Sequence, residues 1–336
     1  MEHFIGGCKM AMRNGILMGV LGVLNVLALA MNIGYGSVHI PIGELLDERW
    51  HFIVWESRMP SAVTACLVGA ALAACGLLLQ SYFRNPLAGP SILGLTSGAN
   101  LMVAIVTLGS MQTSMLQSYS FQMKGTVVMG AFVGSFLVLA MLLLLAKVVR
   151  SQVTLLIVGI LLSYLTTAII TLLGYYASAQ GAQQLMLWGM GDFTSVNLQE
   201  LPYFVLLIMS GLVASLFLIK PLNGWMQGEK YAMNLGIDLN RTKYLLLGVT
   251  GLLAAVTTAW CGPIAFVGLS MPHVARMLYR TDDHGKLLPA SMLLGGLCCS
   301  LCLWLSTRPD GGTLLPINAL TPLFGVPVIL YVLLKK

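Results

Sequence analysis

The feature that most constrains this chain is a succession of apolar blocks, each about as long as a bilayer is thick. A spanning helix needs about 20 apolar residues, and ten blocks approach that length: 15–34, 62–80, 92–108, 126–146, 153–173, 201–219, 244–260, 263–279, 287–306 and 314–334. Nine contain no Asp, Glu, Lys or Arg, and the exception contains Arg276. Only 9% of the 336 residues are charged, too few to cover a soluble domain. The sequence therefore predicts an all-α integral membrane protein with about ten transmembrane helices, in one domain over residues 1–336.

The distribution of Lys and Arg predicts the orientation, because cytoplasmic loops are enriched in both. With the N-terminus inside, 14 of the 18 fall on the cytoplasmic side, and the other four are Arg49, Arg58, Lys124 and Arg308. Both termini are therefore predicted to be cytoplasmic. The net charge of +6 follows from this inner belt, so it does not indicate a nucleic-acid partner. Basic residues precede the first block, as in a signal peptide, but its length favours a first span.

Several functional patterns are missing from the sequence. It has no G-x-x-x-x-G-K-[ST] phosphate loop and no metal signature such as H-E-x-x-H. All twelve Asp and Glu lie between or at the ends of the blocks, whereas proton-coupled pumps usually carry carboxylates inside their spans. The cysteine cluster Cys298, Cys299 and Cys302 is interpreted as helix packing, since Cys in an apolar span behaves as a small hydrophobic residue. We expect no catalytic residue, metal or cofactor in this chain, and either a passive pathway or energy from a partner.

Two irregular stretches interrupt the apolar pattern. Residues 83–90 contain two prolines and a glycine, and small residues that allow close helix packing follow, among them Gly94, Ser97 and Gly98. Gly262 and Pro263 then separate two blocks that would otherwise fuse. Interrupted helices at membrane depth occur where they are buried in protein or line a cavity. Ordinary tight turns are the alternative.

Four groups of residues, in order along the chain, carry a resemblance to a known family. They are Arg58-Met59-Pro60 with Val68 to Ala99, including Asn85-Pro86-Leu87-Ala88-Gly89-Pro90; Leu187-Trp188-Gly189-Met190-Gly191; Gly228-Glu229, Ala232 and Leu235-Gly236; and Gly262 to Leu269 with Pro272-His273, Arg276, Asp283-His284 and Phe324-Gly325-Val326-Pro327. From about residue 40 to the end, the chain resembles the permease subunits of iron–siderophore, haem and vitamin B12 ABC importers. Ser61, Ala265, Trp304, Leu314 and Asn318 depart from the family pattern, which bears on partner docking and substrate more than on fold.

The resemblance implies a type II ABC importer permease fold and a multi-pass subunit of a bacterial inner membrane. It implies a dimer of permeases, here a homodimer, with a path between them for a metal-chelate substrate. It also implies two cytoplasmic ATPase subunits, which bind the ATP and Mg, and a periplasmic or lipid-anchored binding protein. Such partners would supply the energy source that the chain itself lacks.

Residue roles also follow from the resemblance. Segment 222–243 is expected to couple to the ATPase through Gly228, Glu229, Ala232, Leu235 and Gly236, with Ala232 presenting a small surface to the partner. Arg58 and Arg308 are expected to dock the binding protein. The residues assigned to the translocation path or to helix packing are Asn85, Pro86, Leu87, Gly94, Ser97, Gly98, Gly262, Pro263, Gly268, Pro272 and His273.

Alternatives remain at this point. A lone His in an apolar helix can ligate iron or haem, but a structural hydrogen bond is the preferred role for His273. A secondary transporter would need ion or proton sites, and a channel would need a filter or charged rings; neither pattern is evident. Which siderophore, haem or corrinoid is carried does not follow from the sequence.

Overall fold

The computed structural model describes residues 2–36, 38, 40, 43, 47–109, 120–149, 151–307 and 315–334. Within these ranges the chain is helical, with no strand. The α-helices are α1 Glu2–Gly34, α2 Met59–Phe83, α3 Leu95–Gly109, α4 Ser120–Val148, α5 Gln152–Tyr175, α6 Ala179–Gly189, α7 Leu201–Leu216, α8 Ile219–Met226, α9 Glu229–Asn234, α10 Leu239–Cys261, α11 Val267–Tyr279, α12 His284–Ser306 and α13 Ile317–Leu334. A 3-10 turn, Glu48–Trp50, and a π-helical stretch, Phe52–Arg58, lead into α2. The predicted all-α membrane class is confirmed.

The number of complete spans is smaller than the number of apolar blocks. Among the described residues, six helices are long and apolar enough to cross a membrane, or seven if α7 and α8, bent by 43°, form one span. The apolar parts of α3 and α13 are shorter, Leu95–Leu108 and Ile317–Tyr331. Helix α11 has only 13 residues, because the block 263–279 is non-helical before Val267. A continuous span over 263–279 is therefore wrong, and the total of ten spans stays a prediction.

Helix α2 lies at the centre of the bundle, in contact with α7, α10, α11 and α12. Glycines allow these contacts to be close. A Cβ added at Gly69 would lie 2.0 Å from the carbonyl oxygen of Gly295 in α12, and one at Gly76 would lie 1.6 Å from that of Gly268 in α11. The backbones therefore touch directly, which is how helices in membranes gain packing energy without a hydrophobic driving force.

Two asparagines fix α1 against α12. The side-chain amide of Asn25 donates to the carbonyl oxygens of Leu21 (2.8 Å) and Leu293 (3.0 Å). One helical heptad later, the amide of Asn32 donates in the same way to Ala28 (2.8 Å) and Ser300 (3.0 Å). Each amide thus satisfies one carbonyl in its own helix and one across the interface, so the polar groups are not left unpaired in an apolar environment.

Candidate functional site

The two irregular stretches of the sequence meet beside the middle of α2. Gly268, at the start of α11, is so close to α2 that a Cβ there would lie 2.7 Å from the Leu72 carbonyl oxygen and 3.5 Å from Pro90 Cδ. A cavity of about 220 Å³ lies between the stretches, lined by Leu72, 89–92, 264–266 and 268–269. Irregular backbone at membrane depth is tolerated where it lines a cavity or is buried in protein, and both conditions hold here.

Asn318, at the start of α13, holds the second stretch in place. Its amide nitrogen donates to the carbonyl oxygens of Gly189 (2.8 Å) and Pro263 (2.5 Å), and its Oδ1 accepts from the Ala265 backbone N–H (3.1 Å). Its own backbone N–H donates to the carbonyl of Met190 (3.0 Å). A single side chain therefore joins the 187–191 and 262–265 segments to α13.

Glycine is required where these segments cross. Gly262 has φ +73°, and a Cβ there would lie 2.5 Å from the carbonyl oxygen of Trp188. Next to it, the backbone N–H of Asp192 donates to the carbonyl of Cys261 (2.9 Å). Both the left-handed conformation and the close approach exclude a side chain at position 262.

A second, larger cavity lies at the end of α2 that is nearest to α8. Its volume is about 450 Å³, and its lining includes Asn85, Pro86, Leu87 and His273 from the predicted path residues. The His273 Nε2 lies 2.9 Å from the carbonyl oxygen of Pro86, which is the hydrogen bond that its structural interpretation predicts. Among the described residues, no group of three or more His, Cys, Asp or Glu is arranged to hold a metal ion.

The other predicted path residues lie outside the larger cavity. Gly268 lines the smaller cavity, and Gly262 and Pro263 lie where the 187–191 and 262–265 segments meet. Gly94 packs against the Gly159 carbonyl of α5, and Gly98 against the Gly134 carbonyl of α4; Pro272 is buried inside α11, and Ser97 is half-buried in α3. The predicted path residues are therefore divided between the larger cavity, the smaller cavity with its adjacent segments, and helix contacts.

The predicted coupling segment forms two short helices, α8 and α9, followed by the start of α10. Gly228 (φ +123°) precedes α9 and Gly236 (φ +77°) follows it. Glu229, Leu235 and Gly236 are exposed, but Ala232 is 0% exposed. The Ala232 carbonyl accepts from the Leu235 N–H, and its side chain is buried within this chain. The Ala232 side chain therefore forms no exposed surface in this chain, and its coupling role stays a prediction.

Helix α8 is connected to the ends of α2 and α12 by a polar network. The amide of Asn223 donates to Asp283 Oδ1 (2.8 Å), and its Oδ1 accepts from the His284 backbone N–H (2.9 Å) and lies 2.7 Å from His284 Nδ1. The other ring nitrogen of His284 lies 2.7 Å from Ser81 Oγ in α2. The network therefore links α8 to the ends of both α2 and α12.

Asp283 is the half-buried end of this network. Burial on its own raises the pKa of the Asp283 carboxyl. Hydrogen bonds from the Gly285 N–H and the Asn223 amide, with the charges of Lys286 and His284, outweigh it and lower the pKa below its ordinary value. Asp283 also caps α12, accepting from the Gly285 N–H at 2.9 Å. The carboxylate is thus held charged where α8 meets α12.

Comparison with known proteins identifies the family. The sequence model of the FecCD transport family matches residues 23–335. The chain belongs to the FecCD transport family. It is 32% identical over 333 residues to the vitamin B12 import system permease protein BtuC of Citrobacter koseri, covering 98% of this chain and 97% of that protein. It is 33% identical over 317 residues to the protein of the same name from Salmonella typhimurium, covering 94% of each.

Solved structures agree with this assignment. A metal-chelate type ABC transporter in an inward-facing conformation is similar at a TM-score of 0.81 and 29% identity, over 96% of this chain and 99% of that chain. PsaBC from Streptococcus pneumoniae, in complex with Fab, is similar in fold alone, with a TM-score of 0.55 and 18% identity over 87% of this chain and 95% of that chain. The FecCD chain is an ABC importer permease and not an enzyme, because the ATPase of such an importer is a separate chain.

Arg58, the first of the two residues predicted to dock the binding protein, is buried and not on the surface. Arg58 is only 9% exposed. Its guanidinium donates to the carbonyl oxygens of Ile33 (3.1 Å) and Gly34 (3.1 Å) at the end of α1, and to that of Val38. The Arg58 guanidinium is therefore bonded within its own chain, and its docking role stays a prediction. Arg308 lies outside the described residues.

Sequence reasoning missed Asn318 and Asn223 as positioning residues. Asn318 entered only as a departure from the family pattern, and Asn223 lay inside the coupling segment without a role. The available signal was a polar amide inside the apolar block 314–334 for Asn318 and just after the block 201–219 for Asn223, where an unpaired amide is costly. That signal indicates that a partner exists, but the partners come from segments 53 to 129 residues away.

Proposed function

We propose that this permease moves a cobalamin-type metal chelate across the bacterial inner membrane. One observation carries the proposal: the FecCD chain shares 32–33% identity, over nearly its whole length, with permeases named for vitamin B12 import. The metal-chelate type of the structural relative supports the same cargo class. Iron–siderophore complexes and haem are the other metal chelates to be compared.

Uptake by a reconstituted importer tests the cargo. Proteoliposomes with the permease, its ATPase and its binding protein are expected to accumulate labelled cobalamin in the presence of ATP and Mg. A labelled ferric siderophore and haem serve as competitors under the same conditions. Uptake of the siderophore or haem in preference to cobalamin contradicts the cargo assignment while leaving the importer role intact.

The assembly proposed for this importer is two copies of the chain, two ATPase subunits that bind the ATP and Mg, and one binding protein. The exposed faces of α1, α4 and α5 are large and apolar (for example Val26, Phe136 and Leu161). Either lipid or a second copy of the chain can cover such faces. We place both termini and segment 222–243 in the cytoplasm, on the Lys and Arg distribution.

The ATPase contact is proposed at α9. Tyr231, Met233 and Leu235 are 53%, 55% and 58% exposed, and Glu229 is exposed beside them. Two exposed side chains on the six-residue helix α9, with Leu235 directly after it, form a small patch that a protein partner would cover. Because Asn223 in α8 is bonded to His284 and Asp283, a movement of α8 and α9 imposed by the ATPase would pass to the ends of α12 and α2.

Co-purification tests this contact. Tyr231→Glu with Leu235→Glu is expected to lose most of the ATPase from the purified complex, while the permease remains inserted and folded. Asn240→Glu, an exposed position at the start of α10, adds a negative charge outside the patch and is the matched control. Equal ATPase recovery from both variants would place the contact elsewhere.

Reporter fusions test the orientation. A cytoplasmic reporter is expected to be active after residue 230 and at the C-terminus, and a periplasmic reporter is expected to be inactive at both. Periplasmic activity at either site would reverse the orientation and remove the argument for ATPase contact at α9.

A further inference from the structure

The larger cavity carries two positive charges that no neighbouring acid neutralises directly. Arg84 and Arg276 both line it, and none of its lining residues, all within the described part of the chain, is Asp or Glu. Asp282 and Asp283 act from outside the lining: Asp282 through its charge on Arg276, and Asp283 through its bond to Asn223. The lining itself therefore carries a net positive charge.

The guanidinium groups keep most of their hydrogen-bonding capacity. A guanidinium has five N–H donors. Arg276 donates from Nη1 to the neutral Gln80 Oε1 (2.7 Å), and Arg84 donates from Nη2 to the carbonyl oxygen of Trp225 (3.0 Å). These two neutral partners orient the side chains without cancelling their charge. Arg276 is half-buried and Arg84 is exposed, and a bound anion would give both guanidinium groups a charged partner.

The geometry of the cavity also limits what can enter. Its volume of about 450 Å³ is in the range of small-ligand sites. The lining also includes the apolar side chains of Leu87, Met226, Met277 and Ile329. An occupant with an oxyanion group and an apolar body matches this mixed lining.

We propose that this cavity is a binding site for a phosphate-type oxyanion, held by Arg276 and Arg84. Guanidinium groups recognise phosphate through paired N–H donors, which makes Arg more suitable than Lys for this role. The oxyanion can come from a solute that enters the cavity or from the headgroup of an anionic phospholipid. The test of this site does not depend on the proposed cargo, because oxyanion binding is measured on the permease without transport.

Calorimetry with inorganic phosphate tests the solute source. The full-length permease, purified in detergent and delipidated, is titrated with phosphate at constant ionic strength set by chloride. Wild type is expected to bind phosphate, and Arg276→Gln and Arg84→Gln are each expected to raise the dissociation constant about tenfold or more, the effect of losing one charged hydrogen-bonding partner. Arg276→Lys keeps the charge and is expected to bind with intermediate affinity.

Native mass spectrometry tests the lipid source. Permease purified in the presence of phosphatidylglycerol is expected to retain it, and Arg276→Gln is expected to lose it, whereas phosphatidylcholine is retained equally by both. Retention of phosphatidylglycerol without phosphate binding assigns the site to a headgroup, and phosphate binding without retention assigns it to a solute. Either result supports the oxyanion site.

Arg280→Gln is the matched control, because Arg280 follows α11 one turn after Arg276 and is exposed outside the cavity. It is expected to leave both kinds of binding unchanged. If Arg276→Gln unfolds, Arg84→Gln decides the outcome, since Arg84 lies at the exposed rim. The proposal is overturned if wild type binds neither probe, or if the Arg280 variant loses binding as much as the cavity variants do.

Discussion

The central and the peripheral helices of this permease are similar in hydropathy and opposite in burial. The spans that contain α2, α10 and α12 have mean hydropathies of 2.3, 1.7 and 1.8, with 83%, 72% and 67% of their apolar windows buried. The corresponding values for α1, α4 and α5 are 2.2, 2.6 and 2.4, with 22%, 28% and 22% buried. Hydropathy measures transfer out of water, and lipid satisfies that requirement as well as another helix does.

Glycines have a packing role in both groups, but only at certain positions. In the central helices, Gly69, Gly76 and Gly295 bring backbones into contact, and in the peripheral α4 a Cβ at Gly134 would lie 2.2 Å from the Gly98 carbonyl oxygen. In the peripheral α1, Gly19 and Gly22 have nothing within 4 Å of an added Cβ. A small residue therefore has a packing role only where the fold brings a second backbone to it.

Replacing a glycine by alanine in a central and in a peripheral helix is expected to give the largest difference in stability. Gly76→Ala puts a Cβ 1.6 Å from the Gly268 carbonyl oxygen, so α2 and α11 must separate, and we expect about 3 kcal/mol lower stability. Gly22→Ala meets no neighbour and is expected to be neutral or stabilising by up to about 1 kcal/mol. Thermal unfolding in detergent measures both. Equal losses would remove the distinction between central and peripheral packing.

Removing a polar group from each region is expected to have the next largest effect. Asn318→Ala leaves the carbonyls of Gly189 and Pro263 and the N–H of Ala265 without their side-chain partner, which should cost about 2 to 3 kcal/mol. Thr171→Ala, in the exposed part of α5, removes a bond within one helix and should cost less than about 0.5 kcal/mol. Chemical denaturation of the two variants gives the values, and a loss below about 1 kcal/mol for Asn318→Ala would contradict the role assigned to it.

Arg58 connects the peripheral α1 to the central α2. Arg58→Gln removes its bonds to the end of α1 and is expected to cost about 1 to 2 kcal/mol, since charged donors are involved. Arg49→Gln is the control, because Arg49 is 79% exposed and pairs only at the surface with Asp47 (3.1 Å). Stopped-flow association with the binding protein is expected to be unchanged by Arg58→Gln. Slower association at low salt, with unchanged stability, would instead support a role for Arg58 in docking the binding protein.

The smallest expected effect is the pH dependence at the junction of α8 and α12. The pKa of Asp283 is lowered in the folded chain, so its contribution to stability is present above the pKa of an unfolded Asp, about 3.9, and is lost as pH falls through the folded value. The difference in melting temperature between wild type and Asp283→Asn should therefore be present at pH 7 and shrink below about pH 4. Asp282→Asn controls for removal of an acidic charge nearby. A difference that is the same at pH 7 and pH 3 would exclude the charged form as its source.

The sequence by itself determined the class and the family of this protein. Apolar blocks of bilayer length identify an all-α membrane protein, because every backbone polar group in lipid must be bonded internally and a helix does this locally. The ordered motifs, such as Asn85 to Pro90 and Gly262 to Leu269, identified the permease family before any contact was visible. Both are properties that a chain carries in the order and type of its residues.

Only the tertiary structure decided which residues face one another. It buried Ala232, which the sequence placed at a surface, and enclosed Arg58 against three carbonyls. It also broke the block 263–279 before Val267 and joined Asn318 to segments 53 to 129 residues earlier. The physical reason is that the hydropathy of a block shows only that its side chains are more stable outside water. Contact with lipid and contact with protein both meet that requirement. The choice between them depends on contacts between segments that are distant in the chain.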